Sequence, residues 1–441
     1  MRKWFHFLLL CLFLYTSCIK SSHVESDSEE QIQTDEALAL SATSDMWNTL
    51  FAVTTKSNAP SIKSIRKAKN IKTKSESENS SVFVINYCDD QGFSVVRTNQ
   101  NSAAVVAISD NGNIEADYLG DSPCLDSEHK ELYKYIEYSL ERISDAPDTT
   151  HSSYICEHII FDPDSVHVST GEWMLNYNIA PLVQIKWGQS YPFNQRMPVL
   201  ATNHESCFSY TSYRGRYPVG CVPIAIAQVM ITTGHPEYFV GNIGTYNLSD
   251  FATISRYDNV SSFQPYNYDA YADSLTLMKM DKITDMLRKI ANGVNVTYTC
   301  SGTGAYTWKA ISYLYQQDPS YYDDGEIRTL STGSADNPIV LSLLTNEPLI
   351  IASPGHHAWV LDGLFHIHKH NLDGSITTKK LYHFNWGWRG YADGYYAYND
   401  FTFANREAQA GIDTNTNLYN STTNYYQNDA YVIFFTVYHD N

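Results

Sequence analysis

The residue best placed to act as a nucleophile is Cys221, in the run Tyr217-Pro218-Val219-Gly220-Cys221-Val222-Pro223-Ile224. Gly220 permits tight backbone geometry, Pro223 fits only a first helical turn, and Gly234-His235-Pro236 ends a helix, so the spacing predicts a short helix that begins at the thiol. Free backbone N–H groups and the helix dipole favour an anion there and draw a thiol toward the reactive thiolate. Such a nucleophile needs a base. His357 stands in Pro354-Gly355-His356-His357-Ala358-Trp359-Val360-Leu361-Asp362-Gly363, where a turn delivers a His to the first position of a strand. Taken singly, each has a bland reading: a Cys near a helix start is more often inert packing, and a lone His at a strand start is more often structural.

Their neighbours and order decide between the readings. His357 follows Cys221 within the roughly 130–150 residues expected when the Cys comes first and the His later, as in papain. Gln189, in Trp187-Gly188-Gln189-Ser190-Tyr191, precedes the Cys, where papain-like enzymes carry the Gln whose amide N–H helps stabilise an oxyanion. Asn385-Trp386-Gly387-Trp388 follows the His, where such enzymes carry a side-chain carbonyl and a Trp that orient and shield the imidazole. Four elements in one order are far more specific than any one of them.

The elements that must position these groups fall into two parts. Ser81–Asn86 and Gly92–Val96, separated by Asp89-Asp90-Gln91, read as a hairpin, and Ala103–Ile108 as a third strand. Helices are expected from Asp35 to about Val53 and from Leu132 to Ile143. Residues 35–150 thus make a small α+β domain. Lys56, Lys63, Arg66, Lys67, Lys69, Lys72 and Lys74, interleaved with Ser, Asn and Pro, read as an exposed flexible loop. Residues 151–178 are weakly patterned and read as a connector holding the activation region. From Ile179 onward helices come first (Gly220–His235, Ile283–Ala291, Tyr306–Tyr315). Strands follow at Leu349–Ala352, Ala358–Asp362, Lys380–Phe384, Gly394–Tyr398 and Ala430–Val437. That order predicts α+β with segregated halves rather than alternating βαβ units.

Composition bounds the partners. A formal charge of −18 argues against nucleic acid. Arg2 and Lys3 precede an apolar run, Phe5–Tyr15, that is too short for the roughly 20 residues of a membrane span, so residues 1–17 read as a signal peptide. Its end, Tyr15-Thr16-Ser17-Cys18, is similar to a bacterial lipobox, with Tyr15 where an aliphatic residue is usual. Lipidation at Cys18 is therefore expected over plain cleavage by an ordinary signal peptidase, with residues 18–34 as a polar tether and a cell-surface or periplasmic location, release after processing being open. No CxxC pair occurs, so a cysteine-based zinc site is not expected. Export permits disulfides without demanding them. His366, His368 and His370 alternate along one strand face; an exposed polar hairpin face is preferred to a metal site there, and no cofactor or metal is expected.

The motifs resemble one family closely. Gly220-Cys221-Val222-Pro223, Ala225–Met230, His357–Gly363 and Tyr382-His383-Phe384-Asn385-Trp386-Gly387-Trp388 are similar to the streptopain family of cysteine peptidases. The likeness spans roughly Ile179–Val437, and the 35–150 region also resembles that family's inhibitory propeptide. The resemblance implies a papain-like catalytic domain over 179–441. It implies an endopeptidase acting on proteins or peptides, made as a zymogen inhibited by its own propeptide. By position it makes Cys221 the nucleophile, His357 the base, Gln189 the oxyanion donor, Asn385 the orienting residue and Trp386 the ring beside the His. Ser301, Gly302 and Gly304 match its substrate-binding loop. The chain departs from the family at His356, where a Gly is usual, which adds a candidate substrate contact, and at Phe365–Lys379, which lengthens a link. Rival readings are a Cys–His amidase acting on cell-wall peptides and a non-catalytic surface binding protein on the same fold.

Overall fold

A computed structural model describes residues 29–51, 59–69, 80–99, 102–120, 129–142, 173–252, 274–322, 325–329, 336–353, 357–370, 376–397 and 431–434. Residues 1–17, read above as a signal peptide, together with Cys18 and His356 lie outside the described residues. Two compact units divide the chain, Met1–Cys124 and Leu125–Asn441.

In the first unit, helix α1 (Glu29–Phe51) lies on an antiparallel sheet of β1 (Ile62–Lys67), β2 (Ser80–Tyr87), β3 (Phe93–Asn99) and β4 (Ser102–Ser109). β2 and β3 are near-continuous β-branched and aromatic runs, and Val82–Ile85, Val95 and Val96 are buried. Trp47 of α1 packs 5.0 Å from the Tyr87 ring and 4.5 Å from Phe51. The expected hairpin and third strand are present. The basic segment is a different matter: Ile62–Lys67 is an edge strand rather than a loop, half exposed and paired to β2. Its Lys63 and Arg66 reach Asp90 and Glu115 at 3.9 and 3.7 Å. Charges along an edge strand hinder further strand addition, and that same charge hides the strand from a reading based on hydrophobic pattern.

In the second unit the elements run α2 (Lys130–Arg142), β5 (Trp173–Ile179), α3 (Cys221–Thr233), β6 (Tyr238–Val240), β7 (Thr245–Asn247) and α4 (Ser274–Gly293). They continue through β8 (Thr297–Thr299), β9 (Gly302–Gly304), α5 (Lys309–Gln317), β10 (Glu326–Thr329), α6 (Asp336–Leu344), β11 (Leu349–Ser353), β12 (His357–His370), β13 (Ile376–Asn385), β14 (Gly394–Ala397) and β15 (Tyr431–Phe434). The antiparallel sheet has the order β14-β13-β12-β11-β15-β10. Helix α3 crosses its face with every residue from Val222 to Ile231 buried, as a helix apolar on all sides must be. Val222, Ile226, Met230, Ile283, Leu287, Ile290, Val360 and Ile433 belong to one core, so this helix is the joint between helical and β halves. The segregated α+β architecture expected from the element order is the one observed.

Three boundaries move, the first being α1, which starts at Glu29 inside the stretch read as a polar tether rather than at Asp35. The segment read as a connector ends in a strand: β5 pairs with β12 from Leu364↔Ile179 to Lys369↔Trp173. That pairing covers the far stretch of β12, so His366 is buried at 5 % exposure instead of facing solvent, with its ring 6.1 Å from Tyr177. The helix α2, read from sequence with the first domain, lies in the second compact unit. Tyr135 is the reason: its ring meets Phe384 at 5.2 Å, Tyr396 at 5.8 Å, Trp386 at 6.0 Å and Trp359 at 6.3 Å.

Candidate active site

Cys221 is the first residue of α3, and Gly220 before it has φ 98°, in the left-handed region that favours glycine. Space as well as angle requires glycine: a Cβ there would stand 3.0 Å from the Thr303 carbonyl oxygen. At the far end Gly234, also left-handed at φ 73°, caps the helix by donating its N–H to the Met230 carbonyl at 2.9 Å. The Cys221 thiol sits against the backbone N–H groups of Ala358, Val222 and Cys221 itself, which favour a thiolate. Burial outweighs them and holds the thiol above its ordinary value, and the nearby Glu131 carboxylate of α2 pushes the same way.

Contact with Ala358 places the sulfur beside the residue that follows His357. The imidazole itself is turned elsewhere: Nε2 lies 3.0 Å from the Trp386 carbonyl oxygen. A carbonyl can only accept, so Nε2 carries the proton and Nδ1 keeps its lone pair. Three indoles surround the ring, with Trp388 at 5.1 Å, Trp359 at 6.0 Å and Trp386 at 6.2 Å, all within 28° of parallel. Burial lowers the His357 pKa from 6.5 to about 4, with the Trp386 carbonyl opposing in part. Among the described residues no hydrogen bond joins the sulfur to the imidazole. Burial thus disfavours the charged form of both groups, which are adjacent through the backbone.

Asn385 stands next to this arrangement with its side chain committed to other groups. Its Oδ1 accepts from Gln228 Nε2 at 2.8 Å and from the Gly387 N–H at 3.1 Å, and its Nδ2 donates to the Ile185 carbonyl at 3.2 Å. Asn385 thus ties α3 to the segment after β13, while the acceptor facing His357 is the next residue's backbone carbonyl. Gln189 is half-buried between the Cys and Trp segments. Its carbonyl accepts the Val219 N–H at 2.9 Å, and its neighbours are strapped to the segment after Trp386. Gly188 bridges Trp388, Arg389 N–H donates to the Trp187 carbonyl at 3.1 Å, and the Arg389 guanidinium donates to Ser190 Oγ at 2.6 Å and to the Tyr191 carbonyl.

The turn at Cys300-Ser301 between β8 and β9, together with β9 itself (Gly302–Gly304), borders the same site. Thr303 Oγ1 donates to the Pro218 carbonyl at 2.7 Å, next to the Gly220 cap. Beside it Cys300 forms a disulfide with Cys207, Cα atoms 5.4 Å apart. Ser301 Oγ and Thr299 Oγ1 lie 2.9 Å apart, leaving Gly302 with open space where a side chain would be.

Three contributors escape the sequence reading. Gln228 is a lone polar residue in Ala225-Ile226-Ala227-Gln228-Val229-Met230, which is a signal that was there to use. Asp393, buried and accepting the Trp386 N–H at 3.0 Å, carries no such signal. Glu131 could be placed only by knowing where α2 docks. Among the described residues no group of three or more His, Cys, Asp or Glu is arranged to hold a metal ion.

The site thus sets a thiol at the N-terminus of a buried helix against the first residues of a strand that begins with a caged His. Residues 187–396 match the Peptidase C10 family, so the streptopain resemblance read from the motifs is shown. The chain is 22% identical over 347 residues to the thiol protease/hemagglutinin PrtT of Porphyromonas gingivalis, covering 74% of this chain and 34% of that protein. It is 25% identical over 232 residues to streptopain of Streptococcus pyogenes serotype M1, covering 48% and 53%. The chain therefore spans between a third and about half the length of the curated relatives it matches. Among solved structures, a fragment of Prevotella intermedia prointerpain A aligns over 86% of this chain and 99% of its own, with 18% identity and a TM-score of 0.48.

Proposed function

We propose that this protein is an exported cysteine endopeptidase made as a zymogen. Once paired, the Cys221 thiolate attacks a peptide carbonyl carbon and the π electrons move to oxygen. Gln189 and the Cys221 backbone N–H face that oxyanion, each donor contributing roughly 2.7–4 kcal/mol in comparable sites. The C–N bond breaks as the His357 imidazolium gives its proton to the leaving amine. Water, deprotonated by His357, then releases the acid from the thioester. The observation that carries the reading is the Cys221 sulfur at the start of α3 against the Ala358 N–H, one residue from the imidazole.

Latency is supported by α2. Its Glu131 opposes ionisation of the thiol, Tyr135 covers the indole cage, and His129 stacks 4.3 Å from the Tyr391 ring. Activation accordingly withdraws α2, with residues up to about 178 removed, which lets water in and allows the dyad to ionise. Comparing casein hydrolysis by full-length and shortened protein, with processing followed on a gel, tests this; equal specific rates without processing would contradict it. Export and lipidation at Cys18 rest on the Phe5–Tyr15 run and the Thr16-Ser17-Cys18 sequence, and incorporation of a labelled fatty acid that is lost in Cys18→Ala is the expected result.

A further inference from the structure

Asp393 is a buried carboxyl that the mechanism above does not use. It lies at the end of the segment that leaves β13 at Asn385 and enters β14 at Gly394, and Oδ1 accepts the Trp386 N–H at 3.0 Å. One side chain thereby closes a loop from Trp386 to Asp393 at its neck. Inside the loop Tyr391 N–H donates to the Trp388 carbonyl at 3.1 Å, and Asp393 N–H to the Gly390 carbonyl at 3.3 Å. Everything that fixes the His357 ring on this side is carried by that loop: the Trp386 carbonyl on Nε2 and the stacked Trp386 and Trp388 indoles, themselves 5.1 Å apart and 9° from parallel.

We propose that Asp393 is a positioning residue for His357, holding the neck of the 386–393 loop so that carbonyl and indoles keep the imidazole in one orientation and one tautomer. The inference rests on the peptidase reading for its functional consequence, though not for its geometry.

The groups around the carboxyl make this hold sensitive to protons. Lys186, whose methylenes lie over Gly390, and His383 of β13 favour the ionised form; Asp362 of β12 and burial oppose it, and Tyr396 of β14 also faces the carboxyl. The balance leaves Asp393 titrating at about 7. A hydrogen bond to an ionised acceptor is roughly twice as strong as one to a neutral acceptor. Because burial raises the carboxyl above its ordinary 3.8, closing it into the loop favours the protonated form, so closure weakens as pH rises through neutrality even though the ionised acceptor makes the stronger single bond.

The test is the pH profile of kcat and KM for activated parent, Asp393→Asn and Lys186→Met. Asp393→Asn keeps an acceptor at the neck but cannot ionise; its kcat falls about tenfold with KM within about twofold, and the near-neutral ionisation vanishes from its profile. Lys186→Met removes a stabilising charge and moves that ionisation up by about half a pH unit. A folded Asp393→Asn that retains the parent's ionisation overturns the proposal, even if its kcat falls. If Asp393→Asn does not fold, an unmoved ionisation in Lys186→Met overturns it. If the parent hydrolyses no peptide, the peptidase reading fails separately. Iodoacetamide alkylation of the Cys221 peptide, followed by mass spectrometry across the same pH range, then decides: identical profiles for parent and variants overturn the proposal, and loss or displacement of the ionisation supports it.

Discussion

His357 Nε2 lies 3.0 Å from the Trp386 carbonyl oxygen, a distance at which the imidazole must donate. The orienting acceptor is a backbone group, while the neighbouring Asn385 side chain holds Gln228 on the Cys-bearing helix. Separate roles for adjacent residues give separable outcomes on mutation.

Asn385→Ala leaves the buried Gln228 amide without its acceptor and is expected to cost about 1–3 kcal/mol of stability. Its effect on kcat should be smaller than that of changes to the 386–393 loop. Thermal unfolding of Asn385→Ala, Gln228→Ala and the double variant checks this: strong coupling between the two supports the strut, and additive losses count against it.

Cys221→Ser is expected to lower peptide hydrolysis by about 10⁴-fold or more while leaving the melting temperature unchanged within a few degrees. Casein hydrolysis alongside calorimetry measures both. Undiminished turnover would remove Cys221 from the mechanism.

The pH dependence of stability follows from His357. Folded His357 refuses a proton until about pH 4, whereas the unfolded chain accepts one near 6.5. Its contribution is therefore complete above about 6.5 and lost as pH falls toward 4, amounting to about 2–3 kcal/mol. Asp393 works in the opposite sense: its raised pKa adds stability that is full below 3.8 and fades as pH rises through about 7. Urea unfolding at pH 4.5 and 7 should show a smaller acid loss in His357→Gln than in the parent.

Helix α2 gives a test of latency that needs no proteolysis. Tyr135→Ala removes a ring packed against four aromatic residues and is expected to loosen α2 at a cost of about 3–5 kcal/mol. Alkylation of Cys221 in the full-length chain should then accelerate. Unchanged alkylation would mean that α2 does not restrain the thiol.

The Cys207–Cys300 disulfide closes a separation of 93 residues, which in the chain-entropy picture stabilises by about 4.6 kcal/mol. It also anchors the turn holding Ser301 and Gly302 next to the Gly220 cap. Cys207→Ser should lower the melting temperature and raise KM for peptides more than it changes kcat. Equal KM in parent and variant would separate the disulfide from substrate binding.

Much of this was legible before any coordinates. Gly220, Pro223 and Gly234 mark both ends of α3 through backbone preferences that act locally, and the short apolar runs after Pro348, such as Leu349–Ala352, reveal strands for the same reason. The rest depends on contacts distant in sequence. Nothing local says that β5 covers β12, that Tyr135 enters the indole cage, that Cys300 finds Cys207, or that a carbonyl at Trp386 rather than the Asn385 side chain faces His357. Edge strand β1 was missed because its exposed charges are those of a loop.

The most direct measurement is reaction of the activated protein with the epoxide inhibitor E-64, with peptide mapping by mass spectrometry and parallel assay of casein hydrolysis. One adduct on the peptide carrying Cys221, with activity falling in proportion to labelling and no adduct in His357→Ala, is the expected result. Full labelling with hydrolysis intact, or an adduct on another cysteine accompanied by loss of activity, would contradict the account.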